Sequence, residues 1–468
     1  MSKIAAAQIV EQRIHLVPGK LRITEHFFDV PKDYSKPDAG KLRIFARSVQ
    51  KHEATADPED EKAKPKQLPW MVYLNGGPGM SCRSPEAHPW THTVLDKGYQ
   101  MLYLDQRGTG MSSPVTASTL GLRGDNAVQA RYLKLFRADS IVKDCEAIRQ
   151  TLLKDYPEEK KKWSIMGQSF GGFCGITYLS FHPQGIREAF LYGGLQPLVH
   201  GPDEVYRRLY RKVIQRNRAY YDKYPEDVDR VKVIVRFLQR FGDGTVKLPS
   251  EGKLSARRFQ QIGALFGFHD IVLHAAYDVE QFGHITRPTL SSIERATGFD
   301  DALIYSILHE PIYCEGTAPN WSAHRLQNDY QEFNLQSKGP IYFTGEMVSF
   351  HTRFSWMVYK AKTTQIYPWM FEDYSELRKV QDVANRVAAD PAWGPLFDKT
   401  QLAKNEVPVY AAIYVDDMYV DYGLASETAL AIKGCKTFVS NVMYHDAIRA
   451  KMDEVVKQLF ALKEDTLD

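Results

Sequence analysis

The sequence has no basic excess, no long apolar run and no segment with the pattern of a signal peptide. Its 60 Lys and Arg residues nearly balance 57 Asp and Glu, which leaves a formal charge of +3 over 468 residues. That balance argues against a dedicated nucleic-acid binder. No stretch of 18 consecutive apolar residues occurs, so we expect no membrane span. The first 20 residues lack the apolar core and small-residue cleavage site of a secretory leader.

Cysteine is also scarce, and its spacing excludes two kinds of structure. The five cysteines are odd in number and contain no C-x-x-C pair. This pattern favours a reduced, cytoplasmic chain over a disulfide framework or a zinc cage. With 44% hydrophobic and 25% charged residues, the composition is that of a globular protein. The length indicates a large domain with an insertion, or two domains.

Three short apolar runs each end in a glycine-containing loop. They are PWMVYLNGGPG (69–79), YQMLYLDQRGTG (99–110) and WSIMGQSFGG (163–172). Continuous apolar runs of this length are typical of parallel strands buried on both faces. Between the last two, DSIVKDCEAIRQTLL (139–153) has apolar residues at helical spacing. The alternation predicts an α/β fold with a mostly parallel sheet.

Other strands are expected on either side of a long helical region. LRITEHFFDVP and KLRIFARSVQ predict an N-terminal hairpin, and REAFLYGGL (187–195) predicts a further buried strand. VPVYAAIYV (407–415) and TFVSNV (437–442) predict two more, followed by a closing helix. The residues from about 200 to 400 are aromatic-rich and mostly helical in pattern.

This distribution predicts one sheet that is interrupted by a helical cap. We expect the first part of the core at 1–197, the cap at 198–400 and the second part of the core at 401–468. Within the cap, the basic stretch YRRLYRKVIQRNR (206–218) has apolar residues on one helix face. Its arginines are therefore expected to form a solvated face.

A candidate nucleophile lies in the loop after the third apolar run. Ser169 is the central residue of Gly167-Gln168-Ser169-Phe170-Gly171, between a predicted strand and a helix. A serine on such a tight strand-to-helix turn needs small neighbours, and the turn exposes its hydroxyl oxygen. The helix N-terminus also favours developing negative charge.

A nucleophilic serine needs a base and an acid, which in this topology follow it in the order Ser, acid, His. His445 follows the last predicted strand and precedes the closing helix. The strand before it leads into Asp416 and Asp417. Adjacent side chains cannot both face the histidine, and we assign the acid to Asp417, with Asp416 as the alternative.

Acyl transfer also requires donors for an oxyanion. Asn75-Gly76-Gly77-Pro78-Gly79 follows an earlier strand, where the corresponding loop of lipases lies. The glycines allow the backbone to approach a substrate closely. We expect Gly76 and Gly77 to form the hole with the backbone N–H of Phe170.

Taken together, NGGPG, LDQRGTGMSSP and GQSFGG resemble the prolyl aminopeptidase (proline iminopeptidase) family of α/β-hydrolases. Further similar segments extend the resemblance over residues 70–446. One departure is Asn75, where many members have His. The resemblance implies an α/β-hydrolase core with a large helical cap, and a serine exopeptidase that releases an N-terminal residue, preferably proline. It implies peptide substrates with a free N-terminus and no metal or other cofactor; it indicates no nucleic-acid or membrane partner.

An exopeptidase must recognise a charged amino terminus, and a carboxylate in a closed pocket does this well. Family-like segments of the cap offer Glu310 in LHEPIY and Glu346 in FTGEM, with Trp369 of YPWMFED among the aromatic residues that can wall a proline ring. Asp105 and Arg107 are expected to hold the oxyanion loop. An esterase or amidase on the same core, and a silent binding protein, remain alternatives.

One segment departs from the family pattern. Residues 348–365 separate GEM from IYPWMFED, and removing these 18 residues joins the two seamlessly. Val348-Ser349 can be encoded GTAAGT and Gln365 CAG, which are splice-donor and splice-acceptor sequences. We hypothesise that the segment is a retained intron translated in frame; the alternative is a genuine lid.

Overall fold

The computed structural model describes residues 4–52, 67–240, 242–264, 269–345 and 365–465. Glu346 and residues 348–364 of the hypothesised insertion lie outside these ranges. Gln365, the last residue of that segment, is described and buried.

The described residues form a nine-stranded sheet in the order β1-β2-β3-β5-β4-β6-β7-β8-β9. The strands are β1 Gln8–Val17, β2 Leu21–Pro31, β3 Lys41–Lys51, β4 Trp70–Leu74, β5 Gln100–Leu104, β6 Trp163–Gln168, β7 Ile186–Tyr192, β8 Val409–Tyr414 and β9 Cys435–Ser440. The β1–β2, β2–β3 and β3–β5 pairs are antiparallel, and the others are parallel. The predicted mostly parallel sheet is confirmed.

Helices cover the sheet and fill the segment between β7 and β8. Those before β7 are α1 Thr91–Asp96, α2 Ala117–Gly121, α3 Asn126–Leu133, α4 Ala138–Leu152 and α5 Phe170–Phe181. Those between β7 and β8 are α6 Asp203–Lys223, α7 Asp227–Gln239, α8 Ala256–Gln260, α9 His269–Phe282, α10 Arg287–Ala296, α11 Leu303–Leu308, α12 Ser322–Gln327, α13 Met370–Asp373, α14 Gln381–Ala388 and α15 Lys399–Ala403. The last three are α16 Tyr422–Ala431, α17 Ala447–Ala450 and α18 Met452–Glu464.

The central strands are apolar on both faces because both faces are covered. Every residue of β4, β5, β6 and β8 is buried. Such strands carry no alternation of polar and apolar residues, which is why continuous apolar runs predicted them. Their carboxyl ends lie at one edge of the sheet, where the loops after β4, β6 and β8 meet.

The cap packs in two ways. Its first helix, α6, contributes Val205, Tyr206 and Leu209 to the main hydrophobic core. The helices α7 to α10 enclose a separate core that includes Ile234 and Phe259 and reaches Met418, which follows β8. The predicted boundary after residue 400 falls inside α15.

The expectation that the arginines of residues 206–218 form a solvated face holds only in part for Arg208, whose side chain is 32% exposed. Arg208 lies 3.5 Å from Asp421, and Lys212 lies 3.1 Å from Asp416. Both partners belong to the second part of the core, so α6 uses these cations to contact the sheet domain.

Across the described ranges, every helix is too short or too polar to span a bilayer.

Candidate active site

Ser169 lies on a strained turn between β6 and α5. Its backbone has φ 54° and ψ −124°, a positive φ that non-glycine residues rarely adopt. The turn packs tightly against β4, since a Cβ on Gly171 would overlap the Leu74 carbonyl oxygen. The glycine of the sequence motif is therefore required by this close approach, and the strain presents the serine hydroxyl at the sheet edge.

His445 connects the serine to a carboxylate. Its Nε2 atom lies 2.8 Å from Ser169 Oγ, and its Nδ1 atom lies 2.8 Å from Asp417 Oδ2. The Asp417 side chain is 1% exposed and that of His445 is 12% exposed. This is the arrangement in which an imidazole accepts the serine proton while a buried carboxylate fixes its tautomer.

The structure distinguishes the two adjacent aspartates. The second oxygen of Asp417, Oδ1, accepts the backbone N–H groups of Tyr419 at 2.7 Å and Val420 at 3.1 Å. These bonds turn Asp417 towards the histidine. Asp416 pairs instead with Lys212 of the cap, at 3.1 Å.

Sequence reasoning missed an aromatic neighbour of the base. The Tyr419 ring stacks on the His445 ring, with centroids 4.6 Å apart and planes 22° apart. Stacking of this kind restricts rotation of the imidazole. The only signal in the sequence is an aromatic residue two positions after the assigned acid.

The loop after β4 faces the nucleophile. A Cβ on Gly76 would lie 3.3 Å from Ser169 Cβ, and Gly77 lines the same pocket as Ser169 and Phe170. Phe170 is the first residue of α5, so its backbone N–H has no acceptor within the helix. The structure thus brings Gly76, Gly77 and Phe170 together around the serine.

The Asp105-Gln106-Arg107 motif, which follows β5, holds the loop after β4 through hydrogen bonds. The Asp105 carboxylate accepts the backbone N–H groups of Cys82 at 2.6 Å and Met111 at 2.9 Å. Gln106 Nε2 donates to the Asn75 carbonyl at 3.1 Å. Burial raises the pKa of the Asp105 carboxyl. Gln106 is a support that the sequence did not single out.

Arg107 anchors the same motif to the helix layer. It makes a bidentate pair with Asp144 of α4, at 2.7 Å from Nε and 2.5 Å from Nη2. Both side chains are at most 1% exposed. Planar, bidentate pairing of this type suits a buried guanidinium. Neither Asp105 nor Arg107 lines the pocket at Ser169 in the described part of the chain.

Aromatic and aliphatic side chains wall a small pocket at the serine. Its lining comprises Gly77, Ser169, Phe170, Phe173, Tyr305, His309, Ile312, Tyr313, Tyr419 and Val420. The cavity is about 30 Å³, which leaves room for at least one water molecule, since a single water needs about 10–15 Å³ on this measure. Burial lowers the pKa of His309 to about 3, so this ring is neutral near pH 7.

Glu310 lies next to this wall but turns towards α12. Its two carboxylate oxygens accept the backbone N–H groups of Ser322 at 3.0 Å and Ala323 at 2.9 Å. The residue is 4% exposed. Among the described residues, no cationic side chain lies within ion-pair distance of it. Desolvation outweighs the two N–H bonds and raises the pKa of Glu310 to about 8.

Of the other two predicted binding residues, only Trp369 belongs to the described part of the chain, and it packs away from the lining of the serine pocket. Trp369 stacks on Tyr367 with centroids 5.4 Å apart, and the Arg257 guanidinium lies 5.1 Å from the Trp369 ring. In the described ranges, Trp369 does not line the pocket at Ser169. Glu346 lies outside those ranges.

One group of possible metal ligands occurs in the described part of the cap. Single ligand atoms of Glu226, Asp227 and His269 lie within 4.8 Å of one another. Arg230 Nη1 is 2.9 Å from Asp227 and 3.5 Å from Glu226. The guanidinium already supplies the positive charge that a metal ion would bring, and none of the three possible ligands lines the pocket at Ser169.

Comparisons with known proteins agree with this geometry. Residues 69–241 match the model of the alpha/beta hydrolase fold. The chain is 44% identical over 473 residues to the proline iminopeptidase aneH of Aspergillus aculeatus, covering 99% of each chain. It is 35% identical over 457 residues to the proline iminopeptidase of Aeromonas sobria, covering 97% of this chain and 99% of that protein. The chain therefore belongs to the proline iminopeptidase family of α/β-hydrolases.

Proposed function

We propose that the protein is a serine exopeptidase that releases an N-terminal residue, preferably proline, from peptides through an acyl-enzyme. The observation that carries this proposal is the hydrogen-bonded chain from Ser169 through His445 to Asp417, with 2.8 Å at each step. The names of the two relatives support proline as the preferred residue.

The geometry supports the following reaction. Ser169 Oγ attacks the carbonyl carbon of the first residue, and His445 Nε2 takes the hydroxyl proton. The oxyanion is stabilised by backbone N–H groups of the Gly76-Gly77 loop and of Phe170. The carbon–nitrogen bond then breaks, and His445 returns the proton to the departing amine of the shortened peptide. Water, deprotonated by His445, hydrolyses the ester and restores the serine.

Recognition of the amino terminus is assigned to the cap. Glu310 supports this role because it is buried and has no cationic partner among the described residues. Each of its oxygens accepts one N–H group, so each retains a lone pair for a substrate ammonium. A bound ammonium would hold Glu310 in its charged form. Glu346 and Trp369 remain proposed contributors, on the family resemblance alone.

The test compares prolyl arylamide, N-acetyl-prolyl arylamide and a simple acyl ester, with Ser169→Ala as the control. The proposal predicts turnover of the free prolyl arylamide, little turnover of its blocked form and none by the variant. Equal turnover of free and blocked substrates would contradict amino-terminal recognition. Preferential turnover of the ester would instead favour the esterase alternative.

A cytoplasmic location is part of the proposal. All five cysteines are free, and four of them are buried. Free cysteines are typical of a reducing compartment. Fractionation of cells that produce the native protein tests this assignment.

A further inference from the structure

Three cations on one stripe of α6 reach the loops that carry the triad. Arg208, Lys212 and Arg216 are four residues apart, so they lie on the same helix face. Arg208 lies 3.5 Å from both Asp421 and Glu427. Lys212 Nζ lies 3.1 Å from Asp416 Oδ1.

The third cation of this stripe of α6, Arg216, lies beside the segment that carries the catalytic base, His445. The Arg216 guanidinium lies 5.2 Å from the centroid of the Tyr444 ring, and Tyr444 immediately precedes His445. Arg208 packs closely as well, since a Cβ on Gly423 would lie 2.7 Å from its Nη1 atom. The stripe therefore contacts the chain on both sides of Asp417 and directly before His445.

We infer that Lys212 is a positioning residue for the triad acid: by pairing with Asp416, it fixes the turn that aims Asp417 at His445. Asp416 and Asp417 are adjacent on one short turn, so a rotation of that turn would exchange the carboxylate presented to the imidazole. The Lys212–Asp416 pair opposes that rotation from outside the core. The cap helix thereby helps to assemble the catalytic geometry as well as covering the pocket.

The partial exposure of the pair sets its strength. The side chains of Lys212 and Asp416 are 22% and 37% exposed, so solvent screens much of their attraction. We therefore expect the pair to act on the rate through the orientation of the turn that carries Asp417. Loss of the pair should lower the rate about tenfold, less than the roughly 100-fold cost of an ångström-scale displacement.

The test measures two rates on the full chain: fluorophosphonate labelling of Ser169 and kcat for prolyl arylamide. Lys212→Met is compared with Arg218→Met, which removes the same charge from the same helix. Arg218 is 65% exposed and lies 3.7 Å from Glu332, another cap residue. The double variant Lys212→Asp with Asp416→Lys restores the pair with reversed charges.

The inference predicts that Lys212→Met slows labelling and lowers kcat about tenfold, with KM and melting temperature close to those of Arg218→Met. It also predicts that the charge-reversed pair regains most of both rates. Equal rates in the two methionine variants, or a loss that charge reversal does not restore, would overturn it. The inference rests on the proposed serine chemistry. If the fluorophosphonate does not label the wild-type protein, that chemistry is refuted, and the inference with it. A labelled protein that ignores proline would refute only the substrate.

Discussion

Replacing Glu310 with glutamine should change how the stability of the protein depends on pH. Burial raises the pKa of this carboxyl from 4.5 to about 8 in the folded state. Glu310 therefore keeps its proton in the folded protein at pH values at which the same carboxyl has lost it in the unfolded chain. The contribution of protonated Glu310 to stability is full below the unfolded pKa, and it is lost as the pH rises through the folded pKa.

The magnitude follows from the two pKa values. A rise from 4.5 to about 8 corresponds to about 5 kcal/mol over the whole range. Between about pH 5 and pH 7 the wild type should lose about 3 kcal/mol of unfolding free energy through this group. The amide introduced by Glu310→Gln does not titrate. Between about pH 5 and pH 7 the unfolding free energy of the variant should therefore rise by about 3 kcal/mol relative to that of the wild type. The variant's loss of one N–H acceptor costs about 1 kcal/mol at every pH.

Urea unfolding of both proteins, followed by tryptophan fluorescence at several pH values, measures the difference. The other titrating groups are common to both proteins and cancel in that difference. A difference that does not change between about pH 5 and pH 7 would refute the reasoning, because Glu310 would then be ionised in the fold.

Three further predictions concern the triad and the insertion. Ser169→Ala should lower kcat about 10⁶-fold with an unchanged melting temperature; a variant that keeps more than a few per cent of wild-type activity would contradict the nucleophile. Asp417→Asn should lower kcat about 10⁴-fold because it loses the imidazole tautomer, and Asp416→Asn much less; steady-state kinetics giving the opposite ranking would reassign the acid. Deletion of 348–365 should leave folding and prolyl arylamide turnover equal or improved; a collapse of the melting temperature, or genomic codons without GT…AG ends, would contradict the retained intron.

The elements that carry the site could be predicted because their local sequence is strongly constrained. The Ser169 turn needs glycine where the backbone approaches β4, and the buried strands need continuous apolar runs. These signals located the ends of β6, β8 and β9 in the chain. Since parallel strands bring their carboxyl ends together, the positions of Ser169, Asp417 and His445 followed from chain order.

Contacts between distant segments could not be predicted in the same way. The choice between Asp416 and Asp417 depends on which side chain the turn aims at His445, and Lys212 lies about 200 residues earlier in the chain. The partners of Glu310, backbone N–H groups of α12, carry no side-chain signature. A helix face that is cationic in sequence is usually solvated, and only the docking of α6 on the core shows that Lys212 is paired.

The central claim is that Ser169 removes an N-terminal proline from a peptide. Mass spectrometry of two peptides that differ only in their first residue, Pro or Ala, tests it most directly, with wild type and Ser169→Ala run in parallel. The account predicts that the wild type shortens the proline peptide by one residue much faster than the alanine peptide, and that the variant shortens neither. An uncut proline peptide, cleavage at an internal bond, or equal cleavage by the variant would contradict it.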